Sequence, residues 1–310
     1  MERVIVTGAT GFIGRALCGF LAEKGFEVVV LTRNVAKGKK TFGDRAAAAE
    51  WDGKSAAGWQ DYANGAYAIV NLAGENIASG RWTPQKKESI LQSRLKAAEA
   101  VLEAVQSVQK KPRVVVQASA VGYYGSSRDE VRDESSSSGK GFLTDVTKEW
   151  EQSTRAVEDF GVRHVVIRSG VVLGSSGGAL LPLVKPFRFF VGGPLGNGRQ
   201  WLSWIHLRDE VNAIHFLLKR KDLHGVFNLT APHPLRQKDF ARLLGKILGK
   251  PSWFPAPRFM LRMVLGQMAD EMLLASQKVV PKRLLEAGYQ FLYPEAEPAL
   301  KDILENGIRL

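Results

Sequence analysis

Gly8-Ala9-Thr10-Gly11-Phe12-Ile13-Gly14 decides how the rest of this chain is read. Glycines at such spacing recur by chance, so the flanks carry the weight. Arg3-Val4-Ile5-Val6 is a strand-like run directly before the motif, and Phe12 to Lys24 repeats apolar residues at helical spacing after it. A strand turning through glycines into a helix is the arrangement that receives a dinucleotide pyrophosphate. Gly8 permits the tight turn, Gly11 lets backbone approach the phosphates, and Gly14 lets helix pack on strand. The helix N-terminus adds free N–H groups and partial positive charge.

The second strand, Glu27 to Leu31, runs into Leu31-Thr32-Arg33-Asn34. An NAD site places a carboxylate near this point to accept from the ribose hydroxyls, and none is present. Arg33 suits a 2′-phosphate and an adenine face, and Thr32 offers a hydroxyl. The expected cofactor is therefore NADP(H), held by Gly8, Thr10, Gly11, Phe12, Ile13, Gly14, Thr32 and Arg33. The plainer reading of Arg33 is a solvated side chain beside Lys37 and Lys39.

Outward from the motif, short β-branched runs alternate with helical stretches as far as the strand His164 to Arg168. This pattern predicts an α/β fold, a Rossmann-type doubly wound parallel sheet. Pro84 to Val108 reads as a long helix and Leu143 to Phe160 as another. The polar stretch Ser126 to Lys140 reads as a mobile or ligand-ordered loop. Val226 to Leu229 reads as the last strand. Beyond Pro232 the chain is mostly helical. The expected division is a cofactor-binding domain over 1–230, with a cleft-lining insertion near 175–205, and a helical C-terminal subdomain over 231–310.

Composition narrows the function classes. With 45% hydrophobic and 24% charged residues, the 310-residue chain is an ordinary globular protein. Its one cysteine, Cys18, excludes an internal disulfide framework and a cysteine zinc cluster, and no metal site is expected. No apolar run approaches the roughly 18 residues of a membrane span. A first strand at Glu2 to Thr7 leaves no room for a leader, so a cytoplasmic protein without membrane contact is expected. Lys and Arg outnumber Asp and Glu by 43 to 31, a formal charge of +12. These residues lie in short clusters without interleaved aromatics, which favours a solvated basic surface over nucleic-acid binding. The partners expected are a small-molecule substrate and, less directly, a protein partner or second copy.

Further motifs point to a family. Gly8 to Gly14, Asn71-Leu72-Ala73-Gly74, Ser119-Ala120-Val121-Gly122-Tyr123-Tyr124-Gly125 and Arg168-Ser169-Gly170-Val171-Val172-Leu173-Gly174 together resemble the extended short-chain dehydrogenase/reductases of the sugar-nucleotide epimerase-like branch. Glu75-Asn76, Ser93-Arg94, Trp204-Ile205-His206 and Gln277-Lys278-Val279-Val280-Pro281 resemble its atypical subgroup, the epimerase family proteins with a C-terminal extension. The resemblance implies that Leu72 and Ala73 lie against the adenosine half of the cofactor, with Arg94 near it. It also implies that Ser119 ends a strand beside the nicotinamide and that Val172 flanks the cofactor from the following strand. A surface ion pair with Glu88 is the alternative reading of Arg94. Some relatives in this subgroup are described as cell-division or organelle-division factors.

The resemblance fails at catalysis. Ordinary members of the superfamily use Tyr-x-x-x-Lys on a helix, where Lys lies one turn on and lowers the tyrosine pKa. None of the six tyrosines here has Lys four residues on. Ser119, as a substrate-hydroxyl binder, and Tyr123 or Tyr124, as a proton donor, are the remaining catalytic candidates. His206 is a further candidate for the substrate cleft, with a structural hydrogen bond as its plainer role. Two functions follow: an atypical NADP(H)-dependent oxidoreductase or epimerase, or a non-catalytic NADP(H)-responsive binding protein.

Overall fold

Val4-Ile5-Val6, Val28-Val29-Val30, Val114-Val115-Val116 and Val165-Val166-Ile167 are apolar at every position, not at alternate ones. Such runs suit strands covered on both faces. In the computed structural model, which describes residues 1–306, all twelve are buried. Residues 307–310 of the expected subdomain lie outside the described residues. Fully burying side chains of this size is worth roughly 1.5–3 kcal/mol each.

The strands are β1 (Arg3–Thr7), β2 (Glu27–Thr32), β3 (Ala47–Glu50), β4 (Ala68–Asn71), β5 (Val114–Ala120), β6 (Val131–Arg132), β7 (Arg163–Ser169), β8 (Val171–Leu173), β9 (Trp201–Leu202), β10 (Trp204–His206), β11 (Gly225–Leu229), β12 (Leu235–Arg236) and β13 (Lys278–Val279). Seven form one sheet in the order β11-β7-β5-β4-β1-β2-β3, parallel throughout. The connection reverses between β1 and β4. Ligands of open α/β sheets bind in the crevice at that switch point, beyond the carboxyl ends of the strands.

Helices α1 (Phe12–Glu23), α2 (Val35–Phe42), α3 (Gln60–Ala63), α4 (Pro84–Ser107), α5 (Phe142–Ser153), α6 (Leu180–Arg188) and α7 (Leu207–Lys219) follow in chain order. Leu17 and Leu21 of α1 join Ile214 and Leu217 of α7 in the core on one sheet face. Ala97, Ala100, Val101 and Ala104 of α4 form the core on the other. Cys18 is buried in the first of these cores.

The C-terminal region holds α8 (Gln237–Leu248), α9 (Arg258–Leu265), α10 (Lys282–Glu286) and α11 (Ala296–Asn306). Phe240 and Leu244 of α8 share a third core with Leu300 of α11 and Val184 of α6. This region is largely helical, but it also pairs short strands with earlier parts of the chain. Antiparallel β12 pairs with β9, and parallel β13 pairs with β6.

Two local expectations need correction. Loop 126–140 is built in: it contains β6, Ser127 N–H donates to Ser276 O at 2.8 Å, and Glu134 accepts from Asn228 N–H at 2.9 Å. The helix expected over 143–160 stops at Ser153. Buried Thr154 then bonds His164 at 2.9 Å, and a 3-10 turn from Arg155 to Phe160 ends at left-handed Gly161.

Candidate functional site

The glycine loop divides its labour. Gly8 sits at φ +64°, where a Cβ would stand 2.6 Å from Leu72 O, and a Cβ on Gly14 would stand 2.3 Å from Gly8 O. Both positions are closed by the fold. A Cβ on Gly11 would meet only Gly8 O, at 3.1 Å, so its remaining side faces open space. Gly11 is also the N-cap of α1, without a side-chain cap and with no acidic residue in the first turn. By contrast α2, α4 and α7 are capped by Asn34, Thr83 and His206. A bare helix N-terminus at the switch point, with Thr10 exposed beside it, is a cradle that fits an anion. Ile13 packs against the core. Phe12 packs against the same core and also lies beneath a neighbouring loop: Cβ atoms on Gly174, Gly177 or Gly178 would lie 2.8, 2.9 and 2.7 Å from its ring. Its side chain therefore supports loop 174–178, beside Val172 of β8.

A buried polar chain fixes the adjacent loop. Thr7 Oγ1 donates to Asn71 Oδ1 at 2.6 Å and accepts from the N–H groups of Leu72 and Ala73, each at 3.1 Å. Asn71 donates on to Gln117 at 2.8 Å. Leu72 and Ala73 are thereby held against the Gly8 turn. Arg94 completes the support from beneath, not from the surface. It is buried, donates to Glu75 O at 3.2 Å and Ile90 O at 2.8 Å, and stacks 4.7 Å from Trp150. Burial lowers its pKa to about 10, with the charge of Glu75 acting in opposition. The pairing with Glu88 does not form; Glu75 instead accepts from Lys86 and Ser89.

At the end of β2, Thr32 spends its hydroxyl on the turn, donating to Asn34 O at 3.3 Å. Arg33 is exposed and has no hydrogen-bond or ion-pair partner among the described residues. The residues that follow, Asn34 to Phe42, include no carboxylate.

Beyond β5 the structure gathers a cluster that the sequence alone does not reveal. Ser119 Oγ donates to Glu151 Oε1 at 2.6 Å, and Arg168 grips both oxygens of Glu151 at 2.7 Å. The guanidinium also lies 3.3 Å from the Tyr123 ring centroid. A charged Arg168 closing the apolar run of β7 was the available signal, since such a group needs a partner. Tyr124 is corrected as a proton donor: it is only 1% exposed. Its hydroxyl donates to Asn228 Oδ1 at 2.7 Å and accepts from Arg168 at 2.9 Å. Burial pushes its pKa up to about 12. Turn by turn from Glu151, the face of α5 reads Thr147 and Leu143, so no Tyr–Lys pair stands there.

His206 is also structural. Its Nδ1 accepts from Arg208 N–H at 3.0 Å, its ring stacks 4.1 Å from Tyr293, and Nε2 lies 3.2 Å from Asp302. Burial lowers its pKa to about 4.

A cavity of about 510 Å³ opens between Arg128 and the 197–200 turn, with Arg128, Arg199, Arg236 and Arg258 in its wall. Arg236 is paired with Asp129 at 2.6 Å, whereas the other three guanidinium groups are free of carboxylates among the described residues. Arg128 adopts φ +53°, an uncommon backbone for a side chain of its size, and Ser276 Oγ holds its carbonyl.

The family model described as "NAD dependent epimerase/dehydratase family" matches residues 4–230, and one described as "Domain of unknown function (DUF1731)" matches 256–303. "Epimerase family protein SDR39U1 homolog, chloroplastic" of Arabidopsis thaliana is 42% identical over 307 residues, covering 97% of this chain and 86% of that protein. "Epimerase family protein YfhF" of Bacillus subtilis is 35% identical over 302 residues, covering 97% of each. The crystal structure of human epimerase family protein SDR39U1 (isoform 2) with NADPH is 35% identical and superposes with a TM-score of 0.86, covering 98% of this chain and 100% of that one. The chain belongs to the NAD dependent epimerase/dehydratase family.

Proposed function

We propose that the chain binds NADP(H) at the switch point and passes a hydride between it and a small anionic substrate bearing a hydroxyl or carbonyl. The observation that carries this reading is the open cradle at Gly11 together with the unpartnered Arg33, on a strand end without a carboxylate. The human relative's structure with NADPH supports the cofactor choice. When bound, the nicotinamide supplies the hydride chemistry. The chain's residues bind and orient. Free N–H groups of the first α1 turn meet the pyrophosphate, Arg33 the 2′-phosphate, Leu72 and Ala73 the adenosine, and Val172 the nicotinamide side. Arg94 acts through the loop that it supports.

Ser119 would hold a substrate hydroxyl. Its proton points to Glu151, which leaves its oxygen free to accept from the substrate. Arg168 keeps Glu151 in place. The free guanidinium groups of the 510 Å³ cavity would receive the substrate's anionic end.

Calorimetric titration with NADPH and NADH, on the native chain and on Arg33→Ala, tests the reading. NADPH should bind more tightly, and the variant should lose about tenfold or more of that affinity, as for one charged hydrogen bond. Equal affinities for both dinucleotides, or binding of neither, would overturn it. The missing Tyr–Lys pair favours a second reading, a cofactor-responsive binding protein without turnover. A carbonyl and sugar-nucleotide screen that yields no NADPH oxidation, beside a partner that co-purifies only with NADPH, would establish that one.

A further inference from the structure

The turn after α6 and the C-terminal region expose side chains that water-facing surfaces ordinarily keep covered. The turn after α6 presents Phe189 and Phe190 at 68% and 57% exposure, and the segment before α9 presents Trp253 and Phe254 at 77% and 59%. The two segments touch: Phe254 N–H donates to Gly192 O at 3.1 Å, and Lys250 lies 3.9 Å from the Phe190 ring centroid. The chain then runs directly into α9, where Phe259, Met260, Met263 and Val264 are all more than half exposed. Residues at i, i+1, i+4 and i+5 share one side of a helix, so these form a single apolar stripe. No residue of α9 is buried. Phe190 moreover adopts φ +60°, which a bulky side chain rarely accepts, and this conformation carries the ring outward instead of hiding it. An apolar patch of this extent marks an interaction site.

The charges select the partner. Stretches 180–200 and 245–268 contain no Asp or Glu. Lys185 and Arg188, both exposed, have no carboxylate partner among the described residues, whereas Lys246 and Arg262 pair with Glu297 and Asp270. A second copy would set this positive field against itself. An anionic surface would be attracted by it. Aromatic rings on adjoining turns, bordered by Lys and Arg, suit the headgroup level of a bilayer, where rings meet the acyl boundary and cations meet phosphates. No helix among the described residues is long and apolar enough to cross a membrane, and the contact proposed is a peripheral one.

We propose that this face docks on an anionic lipid bilayer, with Phe189, Phe190, Trp253 and Phe254 entering the headgroup region and Lys185 and Arg188 on lipid phosphates. The proposal replaces the sequence-based expectation of no membrane contact and is independent of the cofactor reading.

Co-sedimentation with vesicles of phosphatidylcholine, with and without phosphatidylglycerol, tests it. The full chain should pellet with the mixed vesicles and not with phosphatidylcholine alone. Lys185→Ala/Arg188→Ala should weaken binding on the order of 30-fold, from about a fivefold loss per charge. Trp253→Ser/Phe254→Ser and, separately, Phe259→Ser/Met263→Ser should release the protein, with thermal unfolding unchanged to show that the fold is intact. Absence of binding to the mixed vesicles, or equal binding to both kinds, would overturn the proposal. So would a dimer, seen by light scattering, that Trp253→Ser/Phe254→Ser disperses while vesicles never bind.

Discussion

At the C-terminal edge of the sheet, polar groups are buried and paired; around α9, apolar groups are exposed and without partners. Thr7, Asn71 and Gln117 have no exposed surface, and their side chains bond to one another. Trp253 and Met263 are each more than two-thirds exposed. The difference teaches where each region's complement lies. The sheet edge is largely finished within the chain, with an opening at Gly11. The subdomain face is unfinished as the chain stands, and its missing contacts belong to something else.

Breaking the sheet edge should therefore cost stability. The largest effect is expected for Arg168→Met, which strands Glu151 among side chains that shield it: the pair's side chains are only 4% and 12% exposed. Chemical denaturation should report a loss of about 3–5 kcal/mol. Next come the glycines. Gly14→Ala drives a Cβ into Gly8 O and should cost about 1–3 kcal/mol by the same assay. Gly11→Ala, by contrast, should leave the melting temperature nearly unchanged while weakening NADPH binding. Equal destabilisation by the two would remove the distinction between the closed and open glycines.

The pH dependence sharpens the comparison from an exception inside the buried region. Glu210 of α7 has no exposed surface; Ser169 bonds one carboxyl oxygen at 2.6 Å and the other has no partner. Burial pushes its pKa up to about 8. The unfolded chain releases that proton near the ordinary carboxylate pKa, so this contribution is complete below that value and is lost as pH rises through 8. His164 and His206 act in the opposite sense, because burial lowers each to about 4. Unfolded histidine binds protons near pH 6.5, so their contribution is lost as pH falls from 6.5 towards 4. Between pH 6.5 and 8, stability should decline by about 1.4 kcal/mol per pH unit through Glu210, and Glu210→Gln should flatten that slope in thermal melts. The smallest effect belongs to the other region. Trp253→Ser alone should shift stability by no more than about 0.5 kcal/mol, because its side chain is mostly in solvent. A larger loss would mean that the patch packs against the chain after all.

What was legible in the sequence was local. The β-branched runs of β1, β2, β5 and β7 and the glycine turn are each set by neighbours a few residues away, and the centre of the sheet follows from them. Arg33, alone beyond the end of β2, needed only its immediate surroundings. Contacts across the chain were not legible. Glu271 accepts from Phe142 N–H and Leu143 N–H, partners 129 and 128 residues distant, and so caps α5 from the subdomain. The two-residue strands β6 and β13 carry no periodic signal, because their pairing depends on two remote segments meeting. Tyr124 sits in a turn-like stretch that reads as accessible, and only the approach of Asn228 and Arg168 encloses it. Glu151 was hidden for the same reason.

The cap supplied by Glu271 has a consequence for biosynthesis. A chain leaves the ribosome from its first residue onward, so β1, the glycine turn and their neighbours can assemble while later residues are still being added. The start of α5 and loop 126–134 must wait, because their partners, Glu271, Ser276 and Arg283, are among the last to emerge. The nascent protein can thus complete its glycine cradle before the start of α5 is capped.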